Sequence, residues 1–461
     1  MVRQRVGARL GKHIALIGMM GSGKSTVGRK LAERVARPFV DTDAEIERRF
    51  GPIPDLFARG EPEFRRIEER VVAEALAGQP AVIALGGGAV LSALTRERLG
   101  ASAFSVLLDV DATTAWERTR GSDRPLAQDE GEFRELYERR VVVYRDVADA
   151  VAQDPDSVCL TFLGIVVPGG ILTSGPTAVI ADERVFELHG SRLDEDARVH
   201  TVPAGERAKT FVVAERLLGE LDIGRGGTIV AYGGGSTTDV AGFVAATYMR
   251  GVAWLAVPTT LTGMVDAAIG GKTGIDTPEG KNLAGVFHFP ESVVIDPAVL
   301  STLPEEERRA GMSEVVKTGL LAGKELWALS ELDMIRACAA YKAGVVISDP
   351  YETESRRTVL NLGHTFAHAL ETGSGYTVRH GDAVALGLLA ALRLSGQPTD
   401  VVEEVLQPKP ARADPDAAWA ALKRDKKGEG VFVLLEAPGR PTVATVSDAD
   451  ARTALDALIA K

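Results

Sequence analysis

The chain has 461 residues, 45% hydrophobic and 25% charged, with 53 basic against 64 acidic side chains and a formal net charge of -11. That length exceeds one ordinary core and points to two to four domains, while the acidic balance offers no bulk attraction to nucleic acid, so any anionic ligand needs a local cationic pocket. The two cysteines, Cys159 and Cys338, lie far apart, which argues against a disulfide framework and for a reducing cytoplasm, and no apolar run approaches a signal core or a membrane span.

Short aliphatic runs alternate with amphipathic stretches, a pattern that predicts parallel sheets with helices on both faces. The first predicted strand, His13–Ile17, runs into Gly18-Met-Met-Gly21-Ser22-Gly23-Lys24-Ser25, and a helix follows from Thr26. This is the phosphate-loop pattern G-x-x-x-x-G-K-[ST]: glycines let consecutive N–H groups face phosphate oxygens, Lys24 reaches the β- and γ-phosphates, and the Ser25 hydroxyl holds Mg²⁺. A second strand is predicted to end at Phe39-Val-Asp41-Thr-Asp43, its two carboxylates pointing to opposite sides. One would serve the Mg²⁺ shell and the other accept from a substrate hydroxyl. Next come Phe64-Arg65-Arg66-Ile67-Glu68, a strand at 81–85 with a Gly86-Gly87-Gly88 loop, Arg124-Pro125 in a polar stretch, and Arg139-Arg140 on a helix. Each arginine alone reads as a surface residue; gathered behind a phosphate loop they suggest an anionic acceptor.

The stretch 153–170, rich in Asp, Pro and Gly, marks a domain boundary, placed near Gly164. Further strands are predicted at 177–181, 228–232, 253–257 and 292–295. Gly233-Gly234-Gly235-Ser-Thr-Thr-Asp239 follows one of them as a weak dinucleotide signal, reinforced by Pro258-Thr259-Thr260 and Gly270-Gly271-Lys272-Thr273-Gly274. After Pro304 helix-like segments dominate, interrupted by a proline-rich loop at 407–415. Met312-Ser-Glu314-Val-Val-Lys317 puts Glu314 and Lys317 on one helix face. Three of the seven histidines, His364, His368 and His380, lie close together in sequence. An i,i+4 pair with a third histidine and a helical glutamate suits Zn²⁺ or Co²⁺ acting as a Lewis acid, and spacing does not decide which two histidines bind.

Residues 11–164 resemble shikimate kinase in the order of these motifs. The resemblance implies that Asp43 binds the ring hydroxyls of shikimate, that Arg65 and Arg140 grip its carboxylate, and that Gly87 meets the ring through its backbone. It implies ATP contacts at Gly21, Ser22, Gly23, Lys24, Ser25 and Thr26, and it puts Asp41 in the outer shell of Mg²⁺. Arg124 would sit on a lid closing over the transferring phosphate, and Arg118 near adenine. Lys24, Asp43 and Arg124 would be the catalytic residues.

Residues 170–461 resemble 3-dehydroquinate synthase, most closely from Gly233 to Lys317, through Asp239-Val-Ala-Gly-Phe, Arg250-Gly, Val265-Asp266, Gly-Gly-Lys272-Thr-Gly, Gly280-Lys281-Asn282-Leu and Glu314-Val-Val-Lys317. The resemblance implies metal ligands Glu314, His364 and His380, with His368 relaying protons. Lys272, Asn282, Lys317 and Arg250 would surround the substrate phosphate, with Arg250 reaching the partner subunit's site in a homodimer. Lys342 and Arg357 would hold the substrate carboxylate beside Asn361 and Asp266, and one of Lys426 and Lys427 would join the phosphate cage. NAD would contact Asp182, Glu206, Lys209, Gly235, Ser236, Thr237, Thr238, Asp239, Thr259, Thr260, Lys281, Val299, Leu300, Ser301 and Thr302. Lys272, Lys317 and His368 would be catalytic here. The chain departs from the family pattern at Thr238, where glycine is usual, and at Arg184, where asparagine is usual.

The expected fold is therefore α/β. A P-loop kinase domain (1–164) precedes a Rossmann-like NAD-binding domain (165–303) and a mainly α-helical metal domain (304–461). The expected function is bifunctional: ATP- and Mg²⁺-dependent phosphorylation of shikimate, and NAD- and metal-dependent conversion of a heptulosonate phosphate to 3-dehydroquinate. Its partners would be small molecules, with no nucleic acid and no membrane. The rivals are another sugar-phosphate cyclase or a metal-dependent alcohol dehydrogenase in the second half, or one half serving as a silent scaffold.

Overall fold

Five consecutive residues without a polar face at the outer end, His13–Ile17, can only be a strand covered on both sides, and all five are buried. They form β1 in a computed structural model that describes residues 5–122, 125–170, 177–194, 196–425 and 430–460. The chain divides into two compact units, Met1–Gly164 and Ile165–Lys461.

In the first unit β1 is followed by β2 (Phe39–Asp41), β3 (Val82–Ala84), β4 (Ala103–Leu108) and β5 (Ala150–Ala152), in the order β2-β3-β1-β4-β5 with every pair parallel. Helices α1 (Lys24–Arg34), α2 (Thr42–Phe50), α3 (Glu61–Leu76) and α4 (Glu130–Val147) carry the side chains of interest. The chain leaves β1 toward β2 and leaves β3 the opposite way toward β4, so the sheet's switch point lies at the C-terminal ends of β1 and β3. Both glycine loops emerge there. The strand expected through Asp43 stops at Asp41, which caps α2: its Oδ1 accepts from the N–H groups of Asp43 and Ala44 at 3.2 and 3.3 Å. Residues two apart on a strand share a face, so the expectation of opposite-facing carboxylates fails as stated; the helix start is what separates them.

The second unit has a six-stranded parallel sheet of β6 (Ile165–Val166), β7 (Thr177–Asp182), β8 (Arg198–Val202), β9 (Thr228–Gly233), β10 (Ala253–Pro258) and, later in the chain, β13 (Ser292–Val294). Its order is β6-β13-β10-β9-β7-β8, which puts the switch point between β7 and β9. Helix α5 (Gly235–Thr247) starts from the end of β9, and β11 (Lys272–Thr277) pairs with β12 (Gly280–Phe287) as a hairpin. Beyond it lie α6 (Glu305–Ala322), α7 (Glu331–Ser348), α8 (His364–Gly373) and α9 (His380–Leu394). Helix α9 is buried almost without a break from Gly381 to Leu392, as a helix apolar all round must be. The mainly helical expectation missed a hairpin, β14 (Val431–Ala437) and β15 (Arg440–Thr445), turned at Gly439 with φ +81°. Among the described residues no helix is long and apolar enough to cross a membrane.

Candidate active sites

In the phosphate loop, Gly18, Gly21 and Gly23 take φ of +140°, +80° and +88°, values that side chains disfavour, and Gly23 leads directly into α1. Lys24 Nζ donates to the carbonyls of Gly18 and Met19 at 2.8 and 2.9 Å, folding its charge over the loop. Ser25 Oγ donates to Asp41 Oδ2 at 2.5 Å, so hydroxyl and carboxylate already share one spot. Ser22 is buried and Thr26 lies exposed on the first turn of α1. Arg118 is exposed and reaches the carbonyl of Gly21 at 3.3 Å. Arg124 lies outside the described residues.

Beside this loop opens a cavity of about 300 Å³, lined by Asp43, Arg65, Glu68, Gly87, Gly88 and Arg140 with apolar walls from Met20, Phe57 and Pro125. Arg140 is 4% exposed, and its Nε has no hydrogen-bond partner. Burial lowers its pKa; Tyr144 opposes that shift and Arg65 adds to it. Arg65 is held by Glu68 at 2.6 Å and Glu61 at 3.0 Å. Two neighbouring guanidinium groups, one of them incompletely satisfied, make a site that calls for an anion. The triple-glycine loop is what permits it. A Cβ at Gly86 would overlap Asp43 Oδ1, and one at Gly88 would overlap the Arg65 guanidinium. Two participants had no role assigned from sequence. Glu68 is buried three residues from Arg65, its carboxyl raised by burial against the pull of Arg65. Tyr144 donates to the carbonyl of Gly87 at 2.6 Å.

In the second unit the end of β7 supplies Asp182, whose Oδ1 accepts from the N–H groups of Arg184 and Val185 at 2.9 and 3.2 Å. Lys209 is buried; its Nζ donates to Asp239 Oδ2 at 2.8 Å and to Asn282 Oδ1. Burial pushes Asp239 up to about 6, with Lys209 resisting. Glu206 Oε1 accepts from Ser236 Oγ at 2.7 Å. Thr237 and Thr238 are buried inside α5, and Thr238 Oγ1 bonds back to the carbonyl of Gly235 at 2.9 Å, so the residue in the usual glycine place is absorbed by the helix. Thr259 Oγ1 is buried without a partner; Thr260 Oγ1 accepts from the Gly263 N–H. Val299 and Leu300 turn their side chains into the core, leaving Ser301 and Thr302 outside.

Helices α6, α8 and α9 bring Glu314, His364 and His380 together, with one ligand atom from each lying within 4.8 Å of the others. His364 Nδ1 donates to the carbonyl of Leu362 at 3.3 Å, which leaves Nε2 3.5 Å from Glu314 Oε1. His380 Nε2 lies 3.7 Å from the same oxygen, and its Nδ1 lies 3.5 Å from Glu371 Oε2. Burial opposes protonation of His380, but Glu314 and Glu371 outweigh it and raise it to about 10. His368, one turn after His364, is exposed, its ring centroid 5.8 Å from that of His364, and it is not among the three residues whose ligand atoms converge. Both carboxylate oxygens of Glu314 are buried without a well-directed hydrogen bond, and among the described residues Lys317 and the imidazoles of His364 and His380 face them. A buried carboxylate in that condition fits a cation.

Next to it Asp266 lies between Lys317, 3.9 Å away, and Lys342, and both lysines hold its carboxyl down against burial. Arg357 is buried, donating to the carbonyls of Gly270 and Pro350 at 3.2 and 3.0 Å. Other expected residues are not gathered in. Lys272 is 56% exposed at the side chain and paired with Glu352, Asn361 is exposed, and Arg250 is exposed at φ +65° beside Met249 at +48°. Lys426 and Lys427 lie outside the described residues.

Residues 20–161 match the family model described as shikimate kinase, and residues 199–310 and 311–427 match those of 3-dehydroquinate synthase N-terminal and C-terminal. A bifunctional shikimate kinase/3-dehydroquinate synthase of Thermotoga maritima is 34% identical over 413 residues, covering 81% of this chain and 83% of that protein. A 3-dehydroquinate synthase of Thermobifida fusca is 40% identical over 330 residues, 60% of this chain and 88% of the relative. Among solved structures, 2-deoxy-scyllo-inosose synthase complexed with carbaglucose-6-phosphate, NAD⁺ and Co²⁺ aligns with a TM-score of 0.55 at 26% identity, covering 62% of this chain and 91% of the other.

Proposed function

The chain belongs to the family of bifunctional shikimate kinase/3-dehydroquinate synthases, and on that premise we propose how its residues divide the work. It is an enzyme of the shikimate pathway with both activities.

In the kinase half Lys24 and the loop amides hold the ATP phosphates, Ser25 and Asp41 attend Mg²⁺, and Arg118 borders the adenine. Asp43 accepts the proton of the attacking ring hydroxyl, while Arg65 and Arg140 orient shikimate by its carboxylate against the Gly87 backbone. Arg124 closes over the transferring phosphate. The supporting observation is the incompletely satisfied Arg140 beside Arg65 in a cavity that opens next to the phosphate loop.

In the synthase half, residues 165–303 bind NAD at the β7/β9 switch point and residues 304–461 hold the metal and most of the substrate contacts. Glu314, His364 and His380 hold Zn²⁺ or Co²⁺, which when bound supplies Lewis acidity to substrate oxygens. NAD, when bound, supplies reversible hydride transfer at a ring alcohol, which acidifies the neighbouring C–H so that phosphate can leave. Lys272, Asn282, Lys317 and one of Lys426 and Lys427 receive that phosphate, Lys342 and Arg357 hold the carboxylate beside Asn361, and His368 moves protons. Arg250, presented on its left-handed turn, serves the neighbouring copy's site in a homodimer. The observation that carries the reading is the Glu314/His364/His380 cluster set against Lys317, Asp266 and Lys342.

One preparation tests both halves. Treatment with a chelator should abolish phosphate release from the heptulosonate phosphate and ATP-dependent phosphorylation of shikimate together. Adding Mg²⁺ alone should restore only the second, and adding Zn²⁺ or Co²⁺ the first. Synthase turnover that survives metal removal overturns the metal reading.

A further inference from the structure

A line of alternating charges joins the metal cluster to the dinucleotide loop. Ser236 Oγ, in the first turn of α5, donates to Glu206 Oε1 at 2.7 Å, and Glu206 Oε2 lies 4.0 Å from Lys281 Nζ. Lys281 Nζ donates to Glu371 Oε1 at 3.3 Å, and Glu371 Oε2 is 3.5 Å from His380 Nδ1. The Glu371 side chain is 5% exposed, too deep to stand without compensating charge, and its two oxygens are divided between the ammonium and the imidazole. It sits on α8 seven residues after His364, two turns along the same face. Lys281 is steadied from its other side by the Tyr376 ring, 5.0 Å away.

We propose that Glu371 is a positioning residue that couples the two cofactor sites, holding His380 at Nδ1 and Lys281 at Nζ so that metal and dinucleotide each bind more tightly when the other is present. The proposal rests on the reading above, in which His380 is a metal ligand and Lys281 meets NAD. The sign follows from charge. A divalent cation at the cluster carries one more positive charge than the proton it displaces from the ring, so Glu371 is drawn more strongly to that side and neutralises Lys281 less. More of the ammonium's charge is left for an anionic pyrophosphate. Linkage requires the effect to be the same in both directions.

The full-length protein, stripped of metal, is titrated with Co²⁺ by visible absorption with and without saturating NAD⁺, and with NAD⁺ by calorimetry with and without Co²⁺. The native protein should show equal mutual tightening of about fivefold or more. Glu371→Gln, with an unchanged melting profile, should weaken Co²⁺ by about 10- to 100-fold and show no tightening. Lys281→Met leaves Glu371 to His380 alone, so Co²⁺ should bind at least as tightly without NAD⁺ while the tightening disappears. Tightening that persists in either folded variant overturns the proposal. A native protein that binds no Co²⁺ or no NAD⁺ overturns the underlying reading instead.

Discussion

The two proposed anion sites differ in how completely their buried cations are paired. In the kinase pocket Arg140 keeps an unpartnered Nε and lies close enough to Arg65 for the two to repel. In the synthase half three buried lysines come with carboxylates of their own, Lys209 with Asp239, Lys317 with Glu314 and Lys342 with Asp266, while the Nε of buried Arg357 has no hydrogen-bond partner. In the kinase pocket an arriving carboxylate would find Arg140 incompletely satisfied but would share Arg65 with Glu68 and Glu61. The synthase site must exchange internal ion pairs for ligand contacts, which favours a substrate that presents several anionic or chelating groups at once.

The sharpest test of this contrast is Glu314→Gln, which removes a proposed ligand and the partner of buried Lys317. Synthase turnover should fall by about 10³-fold and that unit should lose roughly 3 kcal/mol of stability, with shikimate phosphorylation unchanged. Activity assays, metal analysis and a two-transition melt on one sample check this. Next in size, Lys24→Ala should lower kinase turnover by about 10²- to 10³-fold and leave phosphate elimination at its native rate. A crippled synthase in that folded variant would show the halves to be coupled. His368→Ala should retain Zn²⁺ or Co²⁺ on elemental analysis yet lose about 10²-fold in synthase kcat; a metal-free protein would make His368 a ligand. Arg65→Lys keeps the charge but not the bidentate fork, so the KM for shikimate should rise about tenfold with that for ATP unchanged.

A separate effect, on stability and not on turnover, concerns Asp239. Its folded pKa, raised by burial to about 6 from 3.8, means the folded state binds this proton more tightly than the unfolded chain does. The ionised carboxylate therefore costs stability above about pH 6, and the cost disappears as pH falls toward 3.8. Asp239→Asn should flatten the synthase unit's stability over that window by up to about 3 kcal/mol, measured by denaturant titration.

Much of this was legible in the residues because local signals and tertiary demands agree. The run His13–Ile17 is apolar beyond its first residue and fully buried, and the phosphate loop follows with glycines exactly where φ turns positive. Asp41 was misread because apolar runs locate strands but do not say where they stop. The acidic first turn Asp43–Glu45 was the available sign of a helix start. The β14/β15 hairpin was overlooked although Val431–Ala437 is β-branched and apolar ahead of Pro438-Gly439. Glu68 and Glu371 are invisible to motif reading because their roles depend on burial and on partners from other parts of the fold; helical spacing from Arg65 and from His364 was the only hint. Lys272 begins β11 with an exposed side chain paired to Glu352, eighty residues later in the chain. Spacing along the chain does not encode that.

The Gly86-Gly87-Gly88 loop also bears on substitution. A Cβ at position 86 would meet the carboxylates of Asp43 and Glu68, and one at 88 the Arg65 guanidinium, so a larger residue at either position makes those charged side chains move. On the proposed reading, a substitution in this loop would reach the acceptor through the side chains that it displaces, without itself touching the ligand.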